Sequence, residues 1–381
     1  MTKFTHLTDF GKACLLAAVL GEVSNSVQAN DMGFVVSHIE FALANGVDTA
    51  TACPDGMSQS YQNIGEGYID MPKIQQRPSE SNREFYDRFR KLTESNGVRN
   101  LCQNPELGGP NPTFRTVSGD GTPVYGINID GDNSKDSGAC FHSDFTGVNG
   151  EAGIDNQFYR VFGCVNGFQP SGQANDFATE MLTGSWGILI KITDVEDAYN
   201  DESVGVGIYA NGDPIKLSPS RVPLRYASYS IHHAPRFHAE TTGEIVDGVL
   251  TTAPVDVRFP WVVNAMHVDR YLRDARLQAT IGEDGRLDGY LAGYSPVEIV
   301  YDVNVGFRNA IDTEGEPSPQ RRIVGSAFGK ANVMGYTCEG VYHALYANAD
   351  GHPDPETGKC NSISTQFRIQ ALPAFVIDSE L

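Results

Sequence analysis

Residues 276–294, RLQATIGEDGRLDGYLAGY, hold two runs of alternating residue character on either side of Glu283-Asp284-Gly285. Alternation with a period of two places successive side chains on opposite faces of a β-strand. A glycine between two such runs accommodates a tight turn. The stretch therefore predicts an antiparallel β-hairpin.

The same alternation recurs in other parts of the chain, in residues 186–193 (WGILIKIT), 203–209 (SVGVGIY), 297–307 (VEIVYDVNVGF) and 369–377 (IQALPAFVI). Pro373 interrupts the last run. Short strands that are not each followed by a helix favour a mostly β fold with a β-sandwich or jelly-roll-like core over an α/β fold. We expect this core, with long disulfide-stapled loops, in residues 126–381, after a small mixed α/β, loop-rich region in residues 30–125.

Two helices stand out from this β pattern. Phe85, Phe89 and Leu92 recur at helical spacing and predict a helix in residues 79–97. Thr337 is a candidate N-cap for a second helix, which leads into an acid-rich loop.

The N-terminus has the layout of a secretory signal peptide, which we place in residues 1–29. Lysines precede the apolar run 13–20, and Val27-Gln28-Ala29 offers small residues for cleavage. The alternatives are a helix of the mature fold and a mistaken start codon. No other segment reaches the length of about 18 apolar residues that a membrane span requires, so we expect no span. The net charge of −20 argues against a nucleic-acid partner.

Removal of residues 1–29 leaves six cysteines: Cys53, Cys102, Cys140, Cys164, Cys338 and Cys360. An even number after an export signal is typical of disulfides formed in an oxidising compartment, which predicts a secreted or periplasmic protein. Fifteen connectivities are possible, and we expect sequential pairing: 53–102, 140–164 and 338–360.

Two loops, residues 128–136 and 348–356, are rich in oxygen-bearing side chains at alternate positions. Calcium takes six to eight oxygen ligands from carboxylates, amides, backbone carbonyls and water. The loops therefore predict a structural calcium cofactor with the ligands Asn128, Asp130, Asp132, Ser134, Asp136, Asn348, Asp350, Asp354 and Glu356. The alternative is an Asx-rich surface turn, in which such side chains bond their own backbone.

Over roughly nine residues, both loops resemble the calcium loops of EF-hands and thrombospondin type 3 repeats. Both depart from the EF-hand pattern, because neither has a glycine at the sixth position and Ala139 and Lys359 occupy the twelfth. A cysteine follows each loop, in the manner of thrombospondin repeats. The loop 194–202, with Asp194, Asp197 and Asp201, is a third calcium candidate, and its alternative is a charged hairpin tip.

The segment between Cys140 and Cys164 contains the candidate catalytic residues His142, Asp144 and Asp155. A histidine with a carboxylate acts as a base or as a metal ligand. The alternative is structural: His142 and Asp144 orient the loop, and Asp155 with Asn156 caps a short helix.

The sequence leaves open whether the protein is an enzyme, because no local nucleophile or phosphate-loop motif is present. We expect a secreted or periplasmic calcium-binding β-rich protein with a non-enzymatic role, whose partner is a glycan or another exported protein. One alternative is a calcium-dependent extracellular hydrolase acting on a polymer. Another is a transition-metal or redox protein that uses His232, His233 and His238.

Overall fold

The computed structural model describes residues 30–43, 49–57, 76–85, 87–88, 101–119, 122–132, 140, 142–169, 176–263, 266–309, 311 and 335–378. Strands account for 41% of this part and helices for 19%, so the predicted mostly β class is confirmed. The sandwich or jelly-roll arrangement stays a prediction. The predicted signal peptide lies outside the described residues.

The strands of this part of the chain are β1 (Asn30–Phe41), β2 (Pro123–Val124), β3 (Thr146–Gly147), β4 (Ile188–Val195), β5 (Asp201–Ala210), β6 (Ser228–Ser230), β7 (His238–Val246), β8 (Val249–Thr252), β9 (Val255–Val263), β10 (Met266–Ile281), β11 (Leu287–Pro296), β12 (Gly351–Pro353), β13 (Cys360–Pro373) and β14 (Phe375–Ile377). Eight of them pair antiparallel in the order β1, β4, β5, β7, β8, β10, β11, β13, and β13 pairs again with β1. The sheet therefore closes on itself, which leaves these strands without an unpaired edge along the ring. Strand β9 pairs with β10, and β12 pairs with β13.

The predicted hairpin is confirmed as β10 and β11, with Ile281 opposite Leu287. Gly285 in the turn has φ of 74°, a left-handed conformation that favours glycine. Leu277 and Leu291 are opposite each other and buried, so the alternating apolar side chains lie on the inner, packed face of the sheet.

The helices are α1 (Thr49–Ala52), α2 (Gln157–Phe162), α3 (Asp176–Leu182), α4 (Val297–Tyr301) and α5 (Cys338–Ala347), with 3-10 turns at Pro105–Leu107, Asn166–Phe168 and Pro235–Phe237 and a π-helical turn at Asp302–Gly306. Helix α5 confirms the prediction at Thr337, whose hydroxyl accepts a hydrogen bond from the Gly340 N–H at 3.1 Å. Residues 82–85, 87 and 88 are helical as predicted, and residues 89–97 lie outside the described part. No helix among the described residues is long and apolar enough to cross a membrane.

The strand predicted in residues 297–307 is wrong, because α4 and the π-helical turn occupy this stretch. Val297, Val300 and Tyr301 are all buried. Their spacing of three and four residues is typical of a helix. A short apolar run is compatible with both a helix and a strand, and tertiary packing decides between the two.

The sheet encloses a large aromatic core that surrounds one charged side chain. Arg270 is fully buried, and its Cζ lies 5.1 to 6.0 Å from the ring centroids of Phe41, Phe158, Trp261 and Phe367. Its three guanidinium nitrogens have no hydrogen-bond partner in the described part of the chain. Burial lowers the pKa of Arg270 to about 9, so the side chain remains a cation at neutral pH.

All six cysteines predicted to pair form disulfides, but the predicted sequential pairing is wrong. The bonds are Cys53–Cys164, Cys102–Cys338 and Cys140–Cys360. Their partners are 111, 236 and 220 residues apart in sequence. Sequential pairing assumes that neighbouring cysteines meet, whereas the closed sheet brings distant segments together.

Candidate metal-binding site

The candidate site lies where residues 122–132 cross the outer face of the sheet. Ile127 and Ile129 pack there with Ala292 and Tyr294 of β11 in a small cluster separate from the main core. Both isoleucines are buried. This packing fixes the start of the first acidic loop against the sheet.

A glutamine of β13 holds this segment by its amide group. Gln366 accepts from the Ile127 N–H at 2.7 Å and donates to the Ile127 carbonyl at 2.7 Å and the Asp155 carbonyl at 2.5 Å. Gly126 has φ of 148°, and a Cβ there would lie 2.4 Å from the Gln366 Oε1. Gln366 therefore ties together two segments that carry candidate acids.

Asp155 is 3% exposed and lies under the first loop. Its Oδ2 accepts from the Ile129 N–H at 2.6 Å and from the Asp130 N–H at 3.3 Å. The next residue, Asn156, caps α2 by accepting from the Tyr159 N–H at 3.1 Å. The predicted capping is thus confirmed for Asn156, whereas the Asp155 side chain points its acceptor at the loop.

Asp350, from the second acidic loop, reaches the same part of the sheet just before β12. Its Oδ1 accepts from the Ser364 N–H at 2.7 Å, and its N–H donates to the Ser362 carbonyl at 3.0 Å. The Ser364 hydroxyl accepts from the Gln157 N–H at 2.8 Å. Strand β13 therefore anchors both the second loop and the start of α2.

Asp130, Asp144, Asp155 and Asp350, here called the aspartate cluster, act on one another electrostatically. Asp155 lowers the pKa of Asp144, whereas the charge of Asp144 raises the pKa of Asp155. Two predicted loops and the Cys140–Cys164 segment thus supply acids to one site.

Burial, together with the charges of the other three acids, raises the pKa of Asp155 to about 8. Burial likewise raises the pKa of Asp350 to about 7, although hydrogen bonds from Ser364 oppose this shift. Burial and then the charge of Asp130 raise the pKa of Asp144. The Arg160 guanidinium lowers the pKa of Asp144, yet burial and acid–acid repulsion outweigh that effect.

His142 lies beside the cluster and contacts the second loop. Its Nε2 is 3.1 Å from the Ala349 carbonyl, and since a carbonyl only accepts, Nε2 carries the proton. Burial lowers the pKa of His142, so the ring is neutral at pH 7. The predicted loop-orienting role of His142 fits this contact.

Two predicted ligands of the first loop, Asn128 and the cluster member Asp130, accept hydrogen bonds from nearby backbone N–H groups. Asn128 Oδ1 accepts from the Gly131 N–H at 2.6 Å, and Asp130 Oδ1 accepts from the Asp132 N–H at 2.7 Å. These bonds form an Asx-type turn, the alternative stated for this loop. Ser134 and Asp136 lie outside the described residues.

In the second loop, too, two of the predicted ligands make local hydrogen bonds. Asp354 Oδ1 accepts from the Glu356 and Thr357 N–H groups at 3.1 and 2.8 Å, and these bonds lower the pKa of Asp354. Asn348 donates to the Ala344 carbonyl at 2.8 Å, at the end of α5. From this loop only Asp350 joins the aspartate cluster.

The third acidic loop forms the tip between β4 and β5. Asp201 Oδ2 accepts from the Glu196 N–H at 2.8 Å, and Asp197 Oδ1 accepts from the Tyr199 N–H at 2.8 Å. Asp194 adopts φ of 61°. The carboxylates of Asp197 and Asp201 therefore stabilise the hairpin tip itself.

Two of the three histidines of the transition-metal alternative, His232 and His238, use a ring nitrogen in a local contact. The His238 Nε2 lies 2.5 Å from the His232 carbonyl, and the His232 Nδ1 accepts from the Ala234 N–H at 3.1 Å. The rings of His232 and His233 stack with centroids 4.6 Å apart. Across the described residues, no three His, Cys, Asp or Glu side chains are close enough as placed to hold a metal ion, and this applies to the aspartate cluster as well as to the histidines.

Sequence reasoning missed Ser364, Gln366 and Tyr294, which organise the site. They lie on strands whose residues alternate between an apolar and a polar face, and the side chains of the polar face usually contact solvent. Here residues 122–132 cover that face. Comparison with protein-family models, curated proteins and solved structures gave no match.

Proposed function

We propose that the protein is an exported, disulfide-bonded β protein that binds calcium at the aspartate cluster and has a non-enzymatic role in binding a glycan or another exported protein. The observation that carries this proposal is that Asp130, Asp144, Asp155 and Asp350, from three separate segments, lie near enough for their charges to shift pKa values within the group. The three disulfides are compatible with an oxidising compartment.

Electrostatics support a cation at this place. Four neighbouring carboxyl groups in a partly desolvated site either keep protons or gain a counter-ion. The raised pKa values of Asp155 and Asp350 reflect this conflict in the metal-free chain. No three of these carboxylates are close enough as placed to hold a metal ion, so a calcium ion would have to draw them closer together and take its remaining oxygens from the backbone and water.

A structural role suits a site that links surface loops to a sheet. The cysteines that follow the two acidic loops, Cys140 and Cys360, are bonded to each other, so a bound ion would add a second link between the same loops. At millimolar calcium, a dissociation constant of about 10⁻⁴ M would add about 1.4 kcal/mol to the free energy of unfolding.

Thermal unfolding of the disulfide-intact protein in calcium and in EGTA tests this function. We expect a higher melting temperature in calcium, and a smaller effect of magnesium because it prefers a rigid octahedron of ligands. An equal melting temperature in both conditions, with no bound metal by elemental analysis, would exclude structural calcium.

The neighbouring acids Asp144 and Asp155, whose pKa values are both raised, favour a second candidate, the calcium-dependent hydrolase. A protonated acid beside an ionised one is the arrangement used for acid–base hydrolysis. The burial of Asp155 opposes this reading, because a substrate must reach the acid. Screening polysaccharides for hydrolysis tests it: an activity that is lost in both Asp144→Asn and Asp155→Asn while the melting temperature is kept would establish the enzyme.

A further inference from the structure

Two tyrosines and a glutamate bring three oxygen atoms together between α4 and α5. The Glu298 Oε1 accepts from the Tyr342 hydroxyl at 2.6 Å and from the Tyr346 hydroxyl at 2.7 Å. Tyr342 and Tyr346 are four residues apart on α5, so their side chains lie on one face of this helix. These three residues are here called the tyrosine–glutamate site.

The site is partly open to solvent. The Glu298 side chain is 45% exposed, and Tyr342 and Tyr346 are half-buried. A hydrated ion can therefore approach the carboxylate, whereas Asp155 of the aspartate cluster is almost fully buried.

The second oxygen of the Glu298 carboxylate is held by an outer layer of polar groups. Its Oε2 accepts from the Arg308 Nη2 at 2.5 Å. The Arg308 Nε in turn donates to the Asp302 Oδ1 at 2.5 Å, and the Asp302 Oδ2 accepts from the Asn309 amide at 2.7 Å. Carboxylates that bind metals are oriented by outer partners of this kind, and here they leave Oε1 facing the two phenols.

The backbone that delivers Arg308 is unusual. Helix α4 continues into the π-helical turn Asp302–Gly306, and Phe307 after it has φ of 47°, a conformation that bulky residues rarely adopt. Both π-helical turns and strained residues concentrate at functional sites. This observation is independent of the hydrogen bonds within the tyrosine–glutamate site.

The charges around the site favour a cation. The positive charge of Arg308 is offset by its second partner, Asp302, so Glu298 leaves the site one negative charge while both phenols are protonated. The other titratable side chains of α5, Glu339 and His343, both lie against Gly108. Ionisation of the two phenols would raise the negative charge of the site to three.

We propose that the tyrosine–glutamate site binds ferric iron through the two phenol oxygens and the Glu298 Oε1, with water completing the shell. Two phenolates and one carboxylate match the charge of a trivalent cation, and tyrosine oxygen is a known ligand of iron in proteins. Binding releases the two phenol protons to solvent and leaves the iron in its ferric state. The proposal does not require the calcium site, because the two sites share no ligand.

The oxygen spacing suits a small ion. In an octahedron with metal–oxygen distances of about 2.0–2.1 Å, neighbouring oxygens are about 2.8–3.0 Å apart. The Glu298 Oε1 lies at nearly this distance from each phenol oxygen. A small ion can therefore replace the two phenol protons with little movement of the side chains.

The phenols select for a trivalent ion. Burial, and then the hydrogen bond to Glu298, raise the pKa of Tyr342 to about 12, and the same two causes raise the pKa of Tyr346. Displacement of such firmly held protons favours the stronger field of a trivalent ion over that of Ca²⁺. A neutral sugar would have to break these hydrogen bonds and return bonds of the same kind.

Titration of the full, disulfide-intact chain with Fe³⁺, delivered as its nitrilotriacetate complex at pH 7 in millimolar calcium, tests the proposal. Phenolate bound to Fe³⁺ absorbs visible light by charge transfer to the metal, and carboxylate ligands alone do not give this band. We expect one Fe³⁺ per chain and a visible band whose resonance Raman spectrum shows tyrosinate vibrations. Absence of iron binding, or binding without the band, would overturn the proposal.

Conservative variants locate the site. Tyr342→Phe and Tyr346→Phe each keep the ring and remove one ligand oxygen, so each should weaken Fe³⁺ binding at least about tenfold and lower the intensity of the band. The double variant should lose the band. The melting temperatures of the iron-free variants show whether the fold is kept, and the single variants decide the question where the double variant does not fold.

Two matched controls should keep both the affinity and the band. Tyr209→Phe removes a hydroxyl that also donates to a carboxylate, that of Glu240 at 2.9 Å, and Asp350→Asn removes an acid of the aspartate cluster. A band that persists in the folded double variant, single variants with the affinity of the wild-type chain, or equal losses in the variants and the controls would overturn the proposal.

Discussion

The Asp155 Oδ2 accepts a hydrogen bond from the Ile129 N–H at 2.6 Å, so a carboxyl group of the Cys140–Cys164 segment is held under the first acidic loop. Burial raises the pKa of Asp155 to about 8. Asp155 and Asp350, whose pKa is raised to about 7, make the aspartate cluster sensitive to pH.

The first prediction concerns stability between pH 6.5 and 8.5 in EDTA. The folded pKa of Asp155 is raised above its unfolded value, so the folded state holds a proton that the unfolded state has lost. The free energy of unfolding therefore falls as pH rises, by about 2 kcal/mol for a pKa near 8. Urea unfolding at several pH values measures this slope.

The matched variant for this slope is Asp155→Asn, which keeps the oxygen that accepts from Ile129 and cannot ionise. We expect a smaller fall in its stability over the same range, because Asp350, whose pKa is raised to about 7, still loses a proton there. His142 and His232 have lowered folded pKa values and add a small slope of opposite sign near pH 6.5, but they are present in both proteins, so the difference between the two slopes reports Asp155. A wild-type stability that rises with pH would contradict the prediction.

The second prediction concerns Gln366, whose amide makes three buried hydrogen bonds to backbone groups of Ile127 and Asp155. Gln366→Ala leaves these groups without their partner, and we expect the free energy of unfolding to fall by about 3 kcal/mol. Denaturant titration measures the loss. Gln370→Ala, which removes an exposed bond to Asp288, is the control and should cost less than about 1 kcal/mol; equal losses would argue against the role of Gln366.

The third prediction concerns the disulfide Cys140–Cys360. Its replacement by two alanines should weaken calcium binding about tenfold or more, because the bond joins the ends of both acidic loops. Replacement of either disulfide should lower the free energy of unfolding by about 2–5 kcal/mol. Replacement of Cys53–Cys164, however, should have little effect on calcium affinity. Calorimetric titration of both variants, below their melting temperatures, checks this; an unchanged affinity without Cys140–Cys360 would refute it.

The fourth prediction concerns Arg270, a buried cation without a hydrogen-bond partner among the described residues. Four aromatic rings attract it, but its unsatisfied donors and desolvation cost more than such contacts return. Arg270→Met should therefore raise the free energy of unfolding, by about 1–4 kcal/mol.

The control for this substitution is Arg273→Met on the same strand. Arg273 Nη1 donates to Asn361 and Ser362 at 3.0 and 3.1 Å, so its loss should destabilise the protein. Urea unfolding compares the two variants. Destabilisation by Arg270→Met as large as by Arg273→Met would show that the aromatic core needs the charge.

The sequence predicts the acids of the site better than their arrangement. Asp130 and Asp350 stand out in their loops, and Asp144 and Asp155 stand out between two cysteines. Their meeting depends on the position of β13 in the sheet and on the pairing of Cys140 with Cys360. Both are long-range relationships, and local spacing contains no information about them.

The fold shows the same limit. Alternation predicts β4, β5 and the β10–β11 hairpin, because each strand packs one face on the core. It fails for residues 297–307, where burial of Val297, Val300 and Tyr301 selects a helix, and for Gln366, whose polar face is covered by another segment. The periodicity of a segment shows which of its residues share a face. Which other segment packs on that face depends on the fold of the whole chain.

The most direct test of the central claim is calorimetric titration of calcium into the metal-stripped, disulfide-intact protein at pH 7. We expect one site, release of protons from Asp155 and Asp350, and an affinity that falls at least about tenfold in Asp350→Asn but not in Asp354→Asn, whose carboxylate caps its own turn. Absence of calcium binding in the wild-type protein, or equal losses in the two variants, would contradict the assignment of calcium to the aspartate cluster.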